Sequence, residues 1–104
     1  MKNLLEIKKR LTSNWFKFLQ IEIVKNFQNI ESNYCKKYKL KNKKFIKRNW
    51  KKGRSNEGGG TSYLLINGNV FEKVGINQST VNGVFQKSFR SKILGAKKNG
   101  KYWA

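Results

Sequence analysis

The first half of the chain shows a hydrophobic pattern typical of an amphipathic helix. From residue 13 to residue 38, apolar side chains recur at spacings of three and four, which places them on one helical face. This stripe comprises Trp15, Phe16, Phe18, Leu19, Ile23, Phe27, Ile30 and Tyr34. The pattern predicts a helix over 13–38, with Thr12 or Ser13 as its N-cap and the stripe facing the core. The wetter positions are expected at Gln20, Glu22, Lys25, Gln28 and Glu31.

The middle of the chain changes to a β pattern. A basic stretch, Lys44–Trp50, predicts a first strand, and two β-prone segments follow at Thr61–Ile66 and Asn69–Ile76. They are separated by Asn67-Gly68, a pair that readily adopts the positive φ angles of a type I′ turn. We therefore predict a β-hairpin with a two-residue turn, with extended chain over 61–81.

The last part of the chain predicts one short helix and the beginning of a strand. Ser88–Gly95 has a helical pattern with Ser88 as N-cap and Gly95 at the C-terminal end, and Asn99-Gly100 predicts a turn. A strand opened by Lys101–Ala104 would need further residues to pair and to bury its aromatic side chains. Residues 1–104 are therefore expected to form one incomplete domain, which would aggregate through unpaired sheet edges.

The glycine-rich segment 53–60 predicts a flexible loop and not a phosphate site. A Walker loop or a dinucleotide fingerprint places its glycines before a helix, whereas Gly58–Gly60 precede a strand, and no lysine stands before Thr61-Ser62. Glycines here either turn the chain sharply or let another backbone approach closely.

Composition narrows the possible chemistry further. The chain has 24 Lys and Arg against 5 Asp and Glu, a formal charge of +19, and it has no histidine. Cys35 is the single cysteine, so an intramolecular disulfide and a Cys-His pair are both excluded, and Cys35 is interpreted as a packing residue. No run of the sequence approaches a membrane span or a signal peptide, and a cytoplasmic location is expected.

A basic segment leaves two interpretations open. Lys36–Arg54 contains 11 of the 24 basic residues, interleaved with Tyr38, Phe45 and Trp50. Such a pattern could hold phosphates while stacking bases, which would make the chain a small nucleic-acid-binding protein. The alternative is a solvated basic loop that leads into a strand, and that interpretation is favoured.

Several motifs together resemble one enzyme family. They are Trp50, the run "EGGGTS", the run "VFEKVGINQS" over 70–79, the helix start "LTSNWFKFLQ" and the ending "SFRSKILGAKKNGKYWA". From about Leu11 to Ala104, the sequence resembles the N-terminal third of oxygen-dependent coproporphyrinogen III oxidases. The resemblance implies an α+β fold, in which an N-terminal amphipathic helix and antiparallel strands with a hairpin belong to a larger antiparallel sheet flanked by helices.

The same resemblance implies an activity and partners. Enzymes of the family decarboxylate two propionates of coproporphyrinogen III oxidatively, using molecular oxygen and no organic cofactor, to give protoporphyrinogen IX for haem synthesis; whether a metal is needed is left open. The resemblance implies a homodimer and a substrate with four carboxylates, which a basic chain could attract. We expect this chain alone to be an inactive fragment.

The resemblance assigns no catalytic, substrate-binding or metal-binding residue to this chain. Thr80 and Asn82 stand where many members of the family have histidines, which argues against a metal role there. The resemblance does suggest that ten residues make dimer contacts. For each of them, packing in a core strand is the alternative. The candidates are Val70, Phe71, Glu72, Lys73, Val74, Gly75, Ile76, Asn77, Gln78 and Ser79.

Overall fold

A long helix and a four-stranded sheet make up the protein. The computed structural model describes residues 2–53, 57–90, 92 and 100–104. The elements are α1 (Lys2–Tyr38), β1 (Ile46–Lys51), β2 (Gly58–Ile66), β3 (Lys73–Val84), α2 (Lys87–Arg90) and β4 (Lys101–Trp103). The strands form one antiparallel sheet in the order β1-β2-β3-β4, which confirms the α+β prediction. Neither described helix is long and apolar enough to cross a membrane.

Helix α1 begins earlier than the hydrophobic pattern predicts. The predicted N-cap at Thr12 or Ser13 is wrong, because the helix already begins at Lys2. The Thr12 hydroxyl donates a hydrogen bond of 2.7 Å to the Lys8 carbonyl, one turn back within the helix. Residues 2–11 are rich in Leu and Lys, which have high helix propensity, so the helix continues through the threonine.

The C-terminal end of α1 is closed by a Schellman motif. Lys39 has a left-handed φ of 57°, and the Leu40 N–H donates to the Cys35 carbonyl at 2.8 Å. The chain then turns back along the helix, where the Gln28 side chain donates to the Lys43 carbonyl at 2.9 Å and accepts from the Phe45 N–H at 3.0 Å. Part of the basic segment is thereby fixed to α1.

The predicted flexible loop at 53–60 is wrong over its last three residues, which belong to β2. A Cβ on Gly58 would collide with the Thr80 carbonyl, and one on Gly59 would collide with the Trp50 carbonyl. The glycines therefore permit close approach between backbones, one of the two roles expected of them. Residues 54–56 of the predicted loop lie outside the described residues.

The hairpin prediction is confirmed, but its turn is not of type I′. Strands β2 and β3 are neighbours, and residues 67–72 connect them. Asn67 has a φ of 57°, whereas Gly68 is not among the residues with positive φ, and a type I′ turn needs both. Asn69, Val70, Phe71 and Glu72, predicted as strand, lie in this connection, which we call the 67–72 loop.

The C-terminal elements differ from the prediction in two respects. Strand β4 pairs with β3 in antiparallel register, Asn82 opposite Trp103 and Val84 opposite Lys101, so it finds its partner within the chain. Helix α2 begins at Lys87, which places Ser88 inside it and not at its N-cap. The predicted C-cap at Gly95 and the Asn99 half of the predicted turn lie outside the described residues.

The structure divides into two compact units, Met1–Arg48 with Thr61–Gln78 and Asn49–Gly60 with Ser79–Ala104. In the first unit, the fully buried apolar side chains among the described residues are Leu65 and Cys35. In the second, the Tyr102 ring packs against Phe85 with ring centres 4.6 Å apart, and its hydroxyl lies 2.6 Å from the Lys52 ammonium. The first unit contains most of the predicted site residues.

Candidate functional site

The first unit is organised around a buried carboxylate, Glu31, on the sheet-facing side of α1. Its side chain is fully buried and reaches the 67–72 loop. One carboxylate oxygen accepts the Asn69 N–H at 2.8 Å; the other accepts the Val70 N–H at 2.9 Å and the Phe71 N–H at 3.3 Å. Three consecutive backbone donors thus converge on one carboxylate, as in the anion-binding nests formed by backbone N–H groups.

The side chains around Glu31 complete a small buried network. The Cys35 thiol, one turn along α1, donates to the carboxylate at 3.1 Å. The Asn69 amide donates to the Cys35 sulfur at 3.3 Å and to the Lys41 carbonyl at 3.1 Å. The network therefore joins α1, the 67–72 loop and the segment that follows the helix.

This arrangement sets the protonation states of both titratable groups. Burial disfavours the charged form of Glu31, but the hydrogen bonds from Val70, Asn69, Cys35 and Phe71 outweigh it and lower the pKa to about 2. Burial raises the pKa of the Cys35 thiol, and the neighbouring Glu31 carboxylate raises it further. Glu31 is therefore a fixed anion and Cys35 a neutral thiol, which supports its interpretation as a packing residue and not a nucleophile.

Gly68 lets the loop approach this carboxylate closely. A Cβ at Gly68 would collide with the Glu31 carboxylate and would lie 2.7 Å from both the Leu65 side chain and the Phe71 carbonyl. The Asn67 N–H closes the loop by donating to the Glu72 carbonyl at 2.8 Å, and the Phe71 ring packs against Phe27 with ring centres 5.1 Å apart. The loop is thus held by its backbone and by one aromatic contact.

A second buried polar side chain, Gln20, fixes α1 to the middle of the sheet. It is 5% exposed, and its amide nitrogen donates to the Thr61 carbonyl at 2.7 Å in β2 and to the Ile76 carbonyl at 2.9 Å in β3. The prediction that the aromatic stripe faces the core is wrong for five of its eight residues, which are exposed: Trp15, Phe16, Phe18, Ile30 and Tyr34. Gln20 and Glu31 were both expected in wetter positions, and that prediction is also wrong. They are eleven residues apart, about three helical turns, so both project from the same side of α1 as Phe27 and Cys35.

The ten predicted dimer-contact residues do not share one surface. Val70 and Glu72 lie exposed in the 67–72 loop, whereas Phe71 is half-buried. Along β3, exposed and half-buried residues alternate. The half-buried ones are Val74, Ile76 and Gln78, and the exposed ones are Lys73, Gly75, Asn77 and Ser79.

The other predicted features do not assemble a reaction centre in the described part of the chain. No group of three or more His, Cys, Asp or Glu side chains there could hold a metal ion. In the basic segment, Tyr38 and Trp50 are exposed, Tyr38 lies beside Tyr34 with ring centres 4.7 Å apart, and the Lys37 ammonium lies 5.3 Å from the Tyr38 ring centre. Binding of nucleic acid by this segment stays a prediction.

The described residues therefore form an α+β scaffold with an anchored loop. Residues 11–104 match the sequence model of the coproporphyrinogen III oxidase family, and the chain belongs to that family. It is 47% identical over 97 residues to the oxygen-dependent coproporphyrinogen-III oxidases of Rickettsia typhi and Rickettsia prowazekii, and 42% identical over 96 residues to that of Rickettsia bellii.

These matches cover 92% of this chain but 33% of each relative, so the chain spans about a third of the length of the curated relatives it matches. No solved structure matches it. The family resemblance inferred from the 70–79 run is confirmed, and the match includes the Glu31 network and the 67–72 loop.

Proposed function

We propose that this chain supplies the N-terminal scaffold of an oxygen-dependent coproporphyrinogen III oxidase. The observation that carries the proposal is the family match over residues 11–104. The complete enzyme would convert two propionates of coproporphyrinogen III to vinyl groups with molecular oxygen as oxidant. We assign this chain a structural role in that enzyme. Glu31 and Cys35 are buried, and they are hydrogen-bonded to each other and to the 67–72 loop.

The strongly basic charge suits a substrate with four carboxylates. A charge of +19 creates a positive potential around the chain, which raises the local concentration of an anionic ligand without specific contacts. In this proposal, the lysines attract coproporphyrinogen towards the enzyme, and the residues that react with it lie in the remaining two thirds of a full-length protein.

The 67–72 loop is the part of the chain best suited to a dimer contact. Glu31 fixes the backbone of Val70, yet the Val70 side chain is exposed. An apolar side chain held rigidly on a fixed loop loses little conformational entropy when a partner covers it, as an interface anchor requires. We therefore place Val70 at the centre of a homodimer contact, with Lys73 and Asn77 on the exposed side of β3 beside it.

A chimeric enzyme tests the activity. Residues 11–104 replace the corresponding third of the Rickettsia typhi protein, and conversion of coproporphyrinogen III is followed by the fluorescence of the oxidised product. We expect the chimera to turn over substrate and the 104-residue chain alone to be inactive. The intact relative and the relative without this third serve as controls. A chimera that folds like the intact relative by circular dichroism, yet has no activity, would refute the proposal.

The dimer contact is tested in the same chimera by Val70→Lys, with Val84→Lys as a control on another exposed valine. Sedimentation velocity should show a dimer for the parent chimera and the control, and a monomer for Val70→Lys, because a buried unpaired ammonium opposes association. If the two substitutions change the fraction of dimer equally, Val70 does not lie in the interface. The family assignment would not be affected.

A further inference from the structure

Helix α1 carries an apolar stripe on the side that faces away from the sheet. Leu4, Ile7, Leu11, Trp15, Phe18 and Ile21 follow one another at spacings of three and four, and each is between 41% and 60% exposed. At about 100° of rotation per residue, they project within an arc of about 120°. Gln20, Phe27 and Glu31 project from the opposite side, about 180° away. We call the six residues the outer stripe.

The outer stripe is larger than the scattered exposed apolar residues of an ordinary surface. It runs along about 26 Å of helix, since each residue rises by about 1.5 Å. Trp15 and Phe18 stack on each other with ring centres 5.8 Å apart, so their rings form one continuous apolar area. Exposed apolar patches of this extent mark interaction surfaces.

The charges beside the outer stripe indicate what covers it. Lys8 lies along one edge of the stripe, and Arg10 and Lys17 lie along the other. Apart from Glu31 on the opposite side, the acidic residues of α1 are paired with lysines, Glu6 with Lys9 at 3.5 Å and Glu22 with Lys25 at 3.7 Å. The surroundings of the stripe are therefore cationic.

We propose that the outer stripe binds peripherally to an anionic lipid bilayer surface. Trp, Phe and Leu on one side of a helix with basic residues beside them are typical of helices that lie in the membrane interface. The apolar side chains would enter the boundary between headgroups and acyl chains, while Lys8, Arg10 and Lys17 reach the phosphates with their long stems on the apolar surface. A second copy of this chain is disfavoured as the occupant, because it would bring two cationic helices together.

Vesicle co-sedimentation of the 104-residue chain tests the proposal. The probes are vesicles of phosphatidylcholine with phosphatidylglycerol, and vesicles of phosphatidylcholine alone. The test variant is Leu11→Gln with Phe18→Gln, in the outer stripe. The control is Leu5→Gln with Phe16→Gln, which removes the same residue types from another side of the helix. The exposures match closely, 60% and 54% in the stripe against 56% and 51% in the control.

We expect the wild-type chain and the control to bind the anionic vesicles and to bind the neutral ones more weakly. The outer-stripe variant should partition about tenfold less onto anionic vesicles, because two large side chains no longer enter the interface. Circular dichroism of both variants, recorded without lipid, checks that their folding is equal.

Other results would overturn the proposal. If the outer-stripe variant binds as tightly as the wild type, the attraction is electrostatic and the stripe is not used. If the wild type dimerises without lipid and only the outer-stripe variant is monomeric, the occupant is a second copy. If the separately expressed remaining two thirds of the Rickettsia typhi protein bind the wild type and release it from vesicles, the stripe is an internal contact of the full-length enzyme.

Discussion

The two sides of α1 distribute polar and apolar residues in the reverse of the usual way. Towards the sheet, the buried positions include a carboxylate and an amide, Glu31 and Gln20. Away from the sheet, the outer stripe exposes leucine, isoleucine and aromatic side chains. The difference shows that hydrophobicity alone did not select which side of this helix is buried.

Hydrogen bonding explains why the polar side can be buried. Glu31 meets three backbone N–H groups and the Cys35 thiol, and Gln20 meets two strand carbonyls, so neither side chain loses its hydrogen bonds on leaving water. Among the described residues, the fully buried apolar side chains are Leu65 and Cys35. The contact between α1 and the sheet therefore depends on these polar hydrogen bonds as well as on apolar packing.

Replacing the buried carboxylate should have the largest effect. Glu31→Gln keeps the shape but removes the charge and places an amide NH₂ group among backbone donors. We expect the free energy of unfolding to fall by about 2–3 kcal/mol, the upper part of the range for hydrogen bonds to charged groups. Urea denaturation of the 104-residue chain, followed by circular dichroism, measures it.

Glu22→Gln is the matched control, because Glu22 lies on the same helix, is partly exposed and pairs with Lys25. Its loss should cost less than about 1 kcal/mol, as for other surface ion pairs. If both substitutions lower the free energy of unfolding by similar amounts, the buried carboxylate stabilises the chain no more than a surface ion pair does. The contrast between the two sides of α1 would then have no energetic consequence.

Protonation of Glu31 at low pH should remove its contribution to the free energy of unfolding without any substitution. The pKa of Glu31 is about 2 in the folded chain against 4.5 for an ordinary glutamate, so the unfolded chain takes up this proton first as the pH falls. The stabilisation is complete above about pH 4.5 and is lost as the pH falls towards about 2. The difference in unfolding free energy between wild type and Glu31→Gln should therefore narrow over this interval.

Measuring that difference at a series of pH values separates Glu31 from the other carboxylates, which are present in both proteins. A difference that stays constant from pH 5 to about pH 2 would mean that the carboxylate is not the group whose ionisation stabilises the loop.

The contrast also explains which features the sequence could predict. The hairpin and the packing role of Cys35 could be predicted because they depend on local sequence and composition: two β-prone segments around Asn67-Gly68, and a single cysteine in a chain without histidine. The partners of Glu31 are backbone N–H groups of the 67–72 loop, and they converge only after the loop has folded against α1. A helical wheel ranks Glu31 by polarity and therefore places it in water.

The turn was mispredicted for a related reason. Asn67-Gly68 has the local preference for a type I′ turn, but three N–H groups that would follow it in a strand bind the Glu31 carboxylate instead. Tertiary contacts thus override local turn propensity here.

For the burial of Gln20 and Glu31, the sequence offered one signal, which was spacing. Both residues share one side of the helix with Phe27 and Cys35.

The smallest expected effect concerns Gln20, the neutral member of the sheet-facing pair. Gln20→Leu has a similar volume and removes the donor shared by the Thr61 and Ile76 carbonyls, so we expect a loss of about 1–2 kcal/mol in the free energy of unfolding. Asn26→Leu is the control at an exposed position of α1 and should change the stability by less than about 0.5 kcal/mol. If Gln20→Leu instead stabilises the chain, the added apolar burial outweighs the two hydrogen bonds. The sheet-facing side would then tolerate the usual apolar pattern, and only Glu31 would require a polar residue there.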